Sequence, residues 1–521
     1  MIRLLIFVHR WLGVALSLIF TIWFLSGIVM MYWSYPEISA GDRLQRAPRL
    51  DPEQITVSPE QAFAALERAP DSGPVRLGSF DGRPVYRFSG GGGRSGGAAT
   101  VYADDGSVQR VVDAAMMDRA AAAWAGRPRS DATKRPVDDV DQWTVGSLRN
   151  VRPLFKYSWP DGQHVYVNGN TGDVVQYTTT SSRFWAYLGA IPHWLYFTPL
   201  RKHQPEWFSF VVWSSLIGTI AAPIGLAIIV WMYSPRKRYR LAGAPTSIPY
   251  RGWKRWHAIT GLFFGVVTTT WALSGLLSMG PFPIMNRLTD LTVPASDGNA
   301  GRGPNGGPNV ANALRGGRAQ PLSAYAGRSP RDAIAAVPGF DVKELEWTSF
   351  AGEPLYLATN GRGETRLIPM DDDPRTTIDP EDVMRVVRDG LGENLGELRV
   401  VDEYDAYYLD RRGDRPLPVV YARLNDAVAT RYYIDPKTAT VVGQYSTRGW
   451  VNRWLYHGLH SLDFPWLYKY RPLWDIVVIG LMLGGTALCL TSLVMTWRVL
   501  ARKMAVVIRA RIDLPDEDLA T

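Results

Sequence analysis

Residues 9–27 are His9-Arg-Trp-Leu-Gly-Val-Ala-Leu-Ser-Leu-Ile-Phe-Thr-Ile-Trp-Phe-Leu-Ser-Gly27, and residues 257–275 are His257-Ala-Ile-Thr-Gly-Leu-Phe-Phe-Gly-Val-Val-Thr-Thr-Thr-Trp-Ala-Leu-Ser-Gly275. Both stretches open on histidine, place glycine four and eighteen residues later, and end on Leu-Ser-Gly. Arg10 is the only charged residue in either. An apolar run of about 20 residues spans a bilayer core as a helix. Charged residues are also absent from 207–235 and 476–497, so the sequence predicts four transmembrane helices. Aromatics at their borders, among them Trp11, Trp33, Trp207, Trp231, Trp256 and Trp497, match an interfacial belt.

Orientation follows from the short connections. Between the second and third spans lie Arg236, Lys237, Arg238, Arg240, Arg251, Lys254 and Arg255 with no acidic residue, and Arg498, Arg502, Lys503, Arg509 and Arg511 follow the fourth. The positive-inside rule puts this loop and both termini in the cytoplasm. The net charge of +8 is therefore topological, and nucleic acid has no place as a partner. The expected order is span 1–36, outer region 37–205, span 206–235, cytoplasmic loop 236–255, span 256–286, outer region 287–473, span 474–498 and tail 499–521. A cleaved signal peptide is the alternative for the first span, but its 26 uncharged residues exceed an ordinary apolar region.

The chain is a duplication. Asn170-Thr-Gly-Asp-Val-Val-Gln-Tyr177 resembles Pro436-Lys-Thr-Ala-Thr-Val-Val-Gly-Gln-Tyr445, and His193 precedes Trp207 by the same fourteen residues as His460 precedes Trp474. Each half is helix, outer region, helix. The outer regions alternate helical and strand patterns. Ser58-Pro59 and Ser329-Pro330 open helices, residues 84–88 with 99–103 and 354–358 with 365–369 form strand pairs, and residues 164–167 and 431–434 are later strands. The fold class is an α-helical membrane bundle carrying small α+β modules, two per half. Residues 90–97 and 298–317 are glycine-rich and expected as loops. The Gly301-Arg-Gly-Pro-Asn-Gly306 string follows no strand and contains Pro304, so it fails as a dinucleotide site. No flavin or nicotinamide site is visible.

Cys489 is the only cysteine, which excludes disulfides within the chain, thiolate metal sites and covalently attached haem. The seven histidines are His9, His164, His193, His203, His257, His457 and His460. Orientation puts His9 and His257 near the inner leaflet and His193 and His460 near the outer one. Opposed neutral imidazoles are a means of holding b-type haem, so two such pairs predict two haems. His457, three residues before His460, is an alternative outer ligand. Gly13 and Gly261 lie one turn from their histidines, where a missing side chain leaves room for a flat macrocycle. Gly27 and Gly275 lie five turns on, about 27 Å away, toward the other pair. Close packing of helices explains glycine as such, but not its fixed phase with histidine. Arg10, Lys254 and Arg255 inside, and Arg453 or Arg471 outside, are candidates to pair with haem carboxylates. His203 is expected at the interface and His164 at the surface. Zinc at His457, His460 and Asp463 is a lesser alternative.

These motifs resemble the PepSY-associated transmembrane helix family of bacterial inner-membrane, iron-regulated proteins. The likeness rests on His9-Arg-Trp-Leu-Gly13 with Leu25-Ser-Gly27, Trp256-His257 with Leu273-Ser-Gly275, and Leu459-His460-Ser-Leu462. In the outer regions it rests on Asp141-Gln-Trp-Thr144 with Val165-Tyr-Val167, and Tyr404-Asp-Ala-Tyr-Tyr408 with Tyr432-Tyr-Ile-Asp435. It covers nearly the whole chain. The sequence departs at Ala190-Ile-Pro-His193, where Leu-His is expected, and in its long glycine-rich segments. The resemblance implies a di-haem b protein, with the lipid bilayer around it, that carries electrons from a cytoplasmic or quinol donor to a ferric siderophore in the periplasm. A membrane-anchored PepSY binding or regulatory protein without redox activity is the first competing class. A haem conduit to another periplasmic acceptor is the second.

Overall fold

The computed structural model describes residues 2–67, 74–88, 99–281, 309–317, 320–410 and 413–512. Four helices among them are long and apolar enough to cross a membrane: helix one (Ile2–Met30), helix two (Gln204–Met232), helix three (Gly252–Ser278) and helix four (Leu473–Ile512). Helix one packs against two and four, and helix three against the same two. Helices one and three therefore sit diagonally across a four-helix bundle. Leu16, Phe20, Phe24, Trp271, Ala272 and Cys489 fill its middle.

Helix bounds differ from the expected spans: helix one ends at Met30 rather than 36, and helix two runs from Gln204 to Met232 rather than over 206–235. Helix three ends at Ser278, and residues 282–286 lie outside the described residues. Helix four continues past Trp497 into the basic tail, because Arg498 to Ile512 contain no glycine or proline to stop it. The basic connection carries a two-stranded hairpin as well as the start of helix three.

Sixteen strands are described: β1 (Val75–Phe80), β2 (Arg83–Phe88), β3 (Ala99–Tyr102), β4 (Thr133–Pro136), β5 (Leu154–Ser158), β6 (His164–Asn168), β7 (Val174–Thr178), β8 (Tyr239–Leu241), β9 (Ala244–Thr246), β10 (Val342–Phe350), β11 (Glu353–Asn360), β12 (Thr365–Pro369), β13 (Leu395–Val401), β14 (Val419–Leu424), β15 (Arg431–Asp435) and β16 (Thr440–Tyr445). The second units are separate four-stranded antiparallel sheets, β4-β5-β6-β7 and β13-β14-β15-β16. The first units are not separate. They join edge to edge in one six-stranded sheet, β12-β11-β10-β1-β2-β3, with Arg76 opposite Glu346 and Leu77 opposite Leu345. An isolated three-stranded unit would leave the β1 and β10 edges open, and pairing them removes that exposure. One core of Leu77, Tyr86, Val101, Val342, Leu345 and Tyr356 serves both halves.

Local chemistry explains the remaining elements. Ser58 accepts the Gln61 N–H, and the Gln61 side chain accepts the Ser58 N–H, capping Pro59–Ala64. Ser329 caps Pro330–Ala335 in the corresponding place. Within the segment expected as a glycine-rich loop, Asn309 caps the helix Val310–Arg315, and Val310 and Leu314 enter the core of the second half. Residues 90–97 and the Gly301–Gly306 string lie outside the described residues.

Two paired imidazoles as a candidate redox centre

The bundle brings the two expected histidine pairs together. The ring centroids of His9 and His257 lie 6.2 Å apart, and those of His193 and His460 lie 6.1 Å apart. His9 belongs to helix one and His257 to helix three, so the first pair meets across the bundle from diagonal helices. His193 stands on the short helix Ala190–Trp194 packed on helix one, and His460 on Leu459–Ser461 packed on helix three. Helices one and three thus carry one ring each for the first pair and brace one ring each for the second. Seventeen residues separate His9 from Ser26, the brace of His193, and the same number separates His257 from Ser274, about 25 Å along a helix.

All four rings have Nδ1 committed to the protein. His9 Nδ1 donates to the Ala221 carbonyl at 3.0 Å. His193 Nδ1 donates to the Trp23 carbonyl at 3.1 Å and lies 3.1 Å from Ser26 Oγ. His257 Nδ1 lies 3.0 Å from Thr491 Oγ1, whose proton goes to the Leu488 carbonyl at 2.7 Å. His460 Nδ1 lies 3.1 Å from Ser274 Oγ, whose proton goes to the Trp271 carbonyl at 3.2 Å. A carbonyl can only accept, and a hydroxyl that has given its proton away can only accept. The carbonyl partners of His9 and His193 therefore hold those two rings as the Nδ1–H tautomer, with the Nε2 lone pair left for a ligand. The hydroxyls at His257 and His460 have a carbonyl at hand to take their own proton, which lets those rings adopt the same form. Burial pushes the His193 ring, which lies outside the four long helices, down to about 4, so it is neutral at pH 7. Neutral imidazole is the metal-binding form.

Two metal–imidazole bonds of about 2 Å each, plus the distance from each nitrogen to its ring centre, put opposed axial rings about 6 Å apart by centroid. The two pairs meet that spacing. Among the described residues no group of three or more histidine, cysteine, aspartate or glutamate side chains gathers as a metal site. Two imidazoles alone leave the other coordination positions to the ligand, which suits a tetrapyrrole with four nitrogens of its own. The zinc alternative at His457, His460 and Asp463 is accordingly not assembled. His457 Nδ1 is 3.9 Å from Asp463 Oδ2, while His460 turns to His193 and stacks on Tyr456 at 5.3 Å. His457 stands at the end of the turn Val451–Gly458, which is wound wider than an α-helix, and His460 in the α-helical turn that follows.

Two of the four expected glycines lie against a histidine ring. Gly27 and Gly275 face the second pair: a Cβ would lie 3.4 Å from His193 Cε1 at Gly27, and 3.8 Å from His460 Cε1 at Gly275. Gly13 and Gly261 instead open toward Ser492 and Leu488 of helix four at 3.6 and 3.8 Å, which is ordinary packing distance. The glycine that touches a first-pair ring is Gly225 of helix two, where a Cβ would stand 2.4 Å from His9 Cε1. No repeat marks Gly225, so only three-dimensional contact finds it. Ser26, Ser274 and Thr491 were likewise missed as ring partners, although both serines stand in the repeated Leu-Ser-Gly string.

Charged candidates separate clearly. Arg10 and Lys254 are exposed, and Arg255 donates to Thr246 Oγ1 at 3.0 Å in the basic connection. Arg471 is bound to Asp475 at 2.5 and 2.8 Å. Arg453 is buried. His203 is exposed at the start of helix two. His164 is half-buried, at the start of β6, an inner strand of its sheet.

None of the curated proteins compared with the chain matches it. A family model described as PepSY-associated TM region matches residues 7–498, nearly the whole length, and the chain belongs to that family.

Proposed function

We propose that the chain is a di-haem b electron-transfer protein of the bacterial inner membrane that reduces ferric siderophores in the periplasm. The observation that supports this most is the presence of two imidazole pairs at opposite ends of the bundle, 6.2 and 6.1 Å apart by ring centroid, each ring anchored to the protein through Nδ1. His9 with His257, and His193 with His460, would hold the two haems, which supply one-electron chemistry when bound. The protein's part is to orient the four rings. Its packed aliphatic and aromatic middle keeps water from the path between the ends. With the basic connection in the cytoplasm, electrons enter from a quinol or soluble donor on that side and leave to the periplasm. Fe(III) in a hard oxygen chelate takes one electron and becomes Fe(II), which such chelates hold weakly. No proton transfer is required.

Purified protein in detergent, supplied with haem, should show a Soret band and the α-band of bis-imidazole ligation. A colourless preparation would overturn the reading. His9→Ala and His257→Ala should delete one haem, and His193→Ala and His460→Ala the other. Depletion of a common site by His9→Ala and His460→Ala would break the pairing. Reduced protein mixed anaerobically with a ferric siderophore should reoxidise. Reoxidation only by a different acceptor would move the chain to the conduit class.

A further inference from the structure

Two arginines near the second pair are buried and make no ion pair among the described residues. Arg201 is 8 % exposed, and its Nε and Nη1 have no hydrogen-bond partner. Its guanidinium lies over the rings of Trp207 at 4.4 Å and Tyr196 at 4.9 Å. Arg453 is 5 % exposed. It gives Nε to the Ala406 carbonyl and Nη2 to the Asp463 carbonyl at 2.7 Å, and its Nη1 has no partner. Among the described residues no carboxylate lies within 4.0 Å of either guanidinium nitrogen set, whereas Arg471 has Asp475. The carboxylates of Asp463 and Asp405 act on Arg453 from beyond ion-pair distance and leave its Nη1 without a partner. A buried guanidinium with an orphaned donor is unfavourable unless an acceptor completes it.

Position links both to the second pair. Arg201 follows His193 by eight residues, and Trp207 beneath it donates to the carbonyl of Trp194, the neighbour of His193, at 2.9 Å. Trp207 and Tyr196 also pack with Trp23, whose carbonyl takes the His193 proton. Arg453 stands on the wide turn that runs into the His460 segment and packs on helix three. Each half thus brings one buried guanidinium with an orphaned donor to the same end of the bundle. They stand at non-equivalent places: the counterpart of Arg201 is Tyr468, and that of Arg453 is Ala186.

Resting on the haem reading, we propose that Arg201 and Arg453 bind the carboxylate side chains of the haem at the second pair and set its reduction potential. Guanidinium is suited to carboxylate by its fixed fork of donors. A cation at that place favours the reduced form, which carries one more negative charge.

The test is spectroelectrochemical titration of the full-length, haem-loaded protein. Arg201→Gln and Arg453→Gln should each lower the potential of the second-pair haem by about a tenfold change in its reduction equilibrium, which is 59 mV for one electron. The first-pair haem serves as internal control and should stay put. Arg201→Lys and Arg453→Lys should recover most of the shift. Because a glutamine variant could fail to fold, the wild-type chain is also loaded with haem or its dimethyl ester. The ester should bind the second site at least about tenfold more weakly, as expected for loss of a charge-assisted pair. Equal binding of acid and ester, with unmoved potentials in the variants, overturns the proposal while the haem reading stands. Loss of the shift on removing anionic lipid would identify a phosphate headgroup as the anion and overturn it too. A wild type that takes up no haem refutes both, which separates the two failures.

Discussion

The hydroxyl of Ser26 carries one proton, and the Ile22 carbonyl takes it at 2.6 Å, so His193 must donate in turn. Ser274 stands in the corresponding place, between the Trp271 carbonyl at 3.2 Å and His460 Nδ1 at 3.1 Å. The sequence shows both serines in a repeated string, but only the fold brings a histidine 167 or 186 residues away onto them. The histidine pairs were legible because histidine is scarce and its spacing repeats. Gly225 was not, since helix two holds many small residues and nothing in the sequence says which one meets His9. Gly225→Ala follows at this scale. A Cβ there stands 2.4 Å from the His9 ring, so overpacking of about 1–3 kcal/mol should push the imidazole off its seat. The variant should lose the first-pair haem spectrum and keep the second.

At the scale of elements, the two four-stranded sheets share one internal lock. Asp141 accepts the N–H groups of Trp143 and Thr144 and the hydroxyl of Tyr166, which is 0 % exposed. Asp405 accepts Tyr407, Tyr408 and the hydroxyl of Tyr433, also 0 % exposed. A carboxylate that closes a turn and ties it to the middle of a neighbouring strand explains why aspartate and tyrosine recur at matched places. Tyr166→Phe or Tyr433→Phe leaves a carboxylate oxygen short of its donor, at a cost of about 1–3 kcal/mol. Hydrogen exchange should show faster opening of β5–β7 for the first and of β14–β16 for the second, each without effect on the other. These modules were visible as strands and turns in the sequence. The six-stranded sheet was not, because β1 and β10 pair through only two residues of register and no local pattern announces an edge-to-edge joint.

The whole molecule sorts its charge by side. The connection between helices two and three is basic throughout, whereas the sheet-bearing regions mix both signs in pairs such as Arg83 with Asp104 and Arg119 with Asp81. Orientation can be checked with cysteine probes, because the native Cys489 is buried. In intact spheroplasts, a membrane-impermeant maleimide should label Arg362→Cys and leave Arg238→Cys unlabelled, both positions being exposed. The reverse pattern would invert the proposed direction of electron flow.

Each imidazole pair takes one ring from each half of the duplicated chain, which has a consequence for ancestry. A single half offers one ring at either end of the bundle and can grip nothing between opposed ligands. Two copies of one half, related by a twofold axis, would regenerate both grips, since His9 superposes in role on His257 and His193 on His460. In one fused chain the two halves are free to differ. The unequal seats of Arg201 and Arg453 are places where a symmetric dimer could not have differed and the fused chain does.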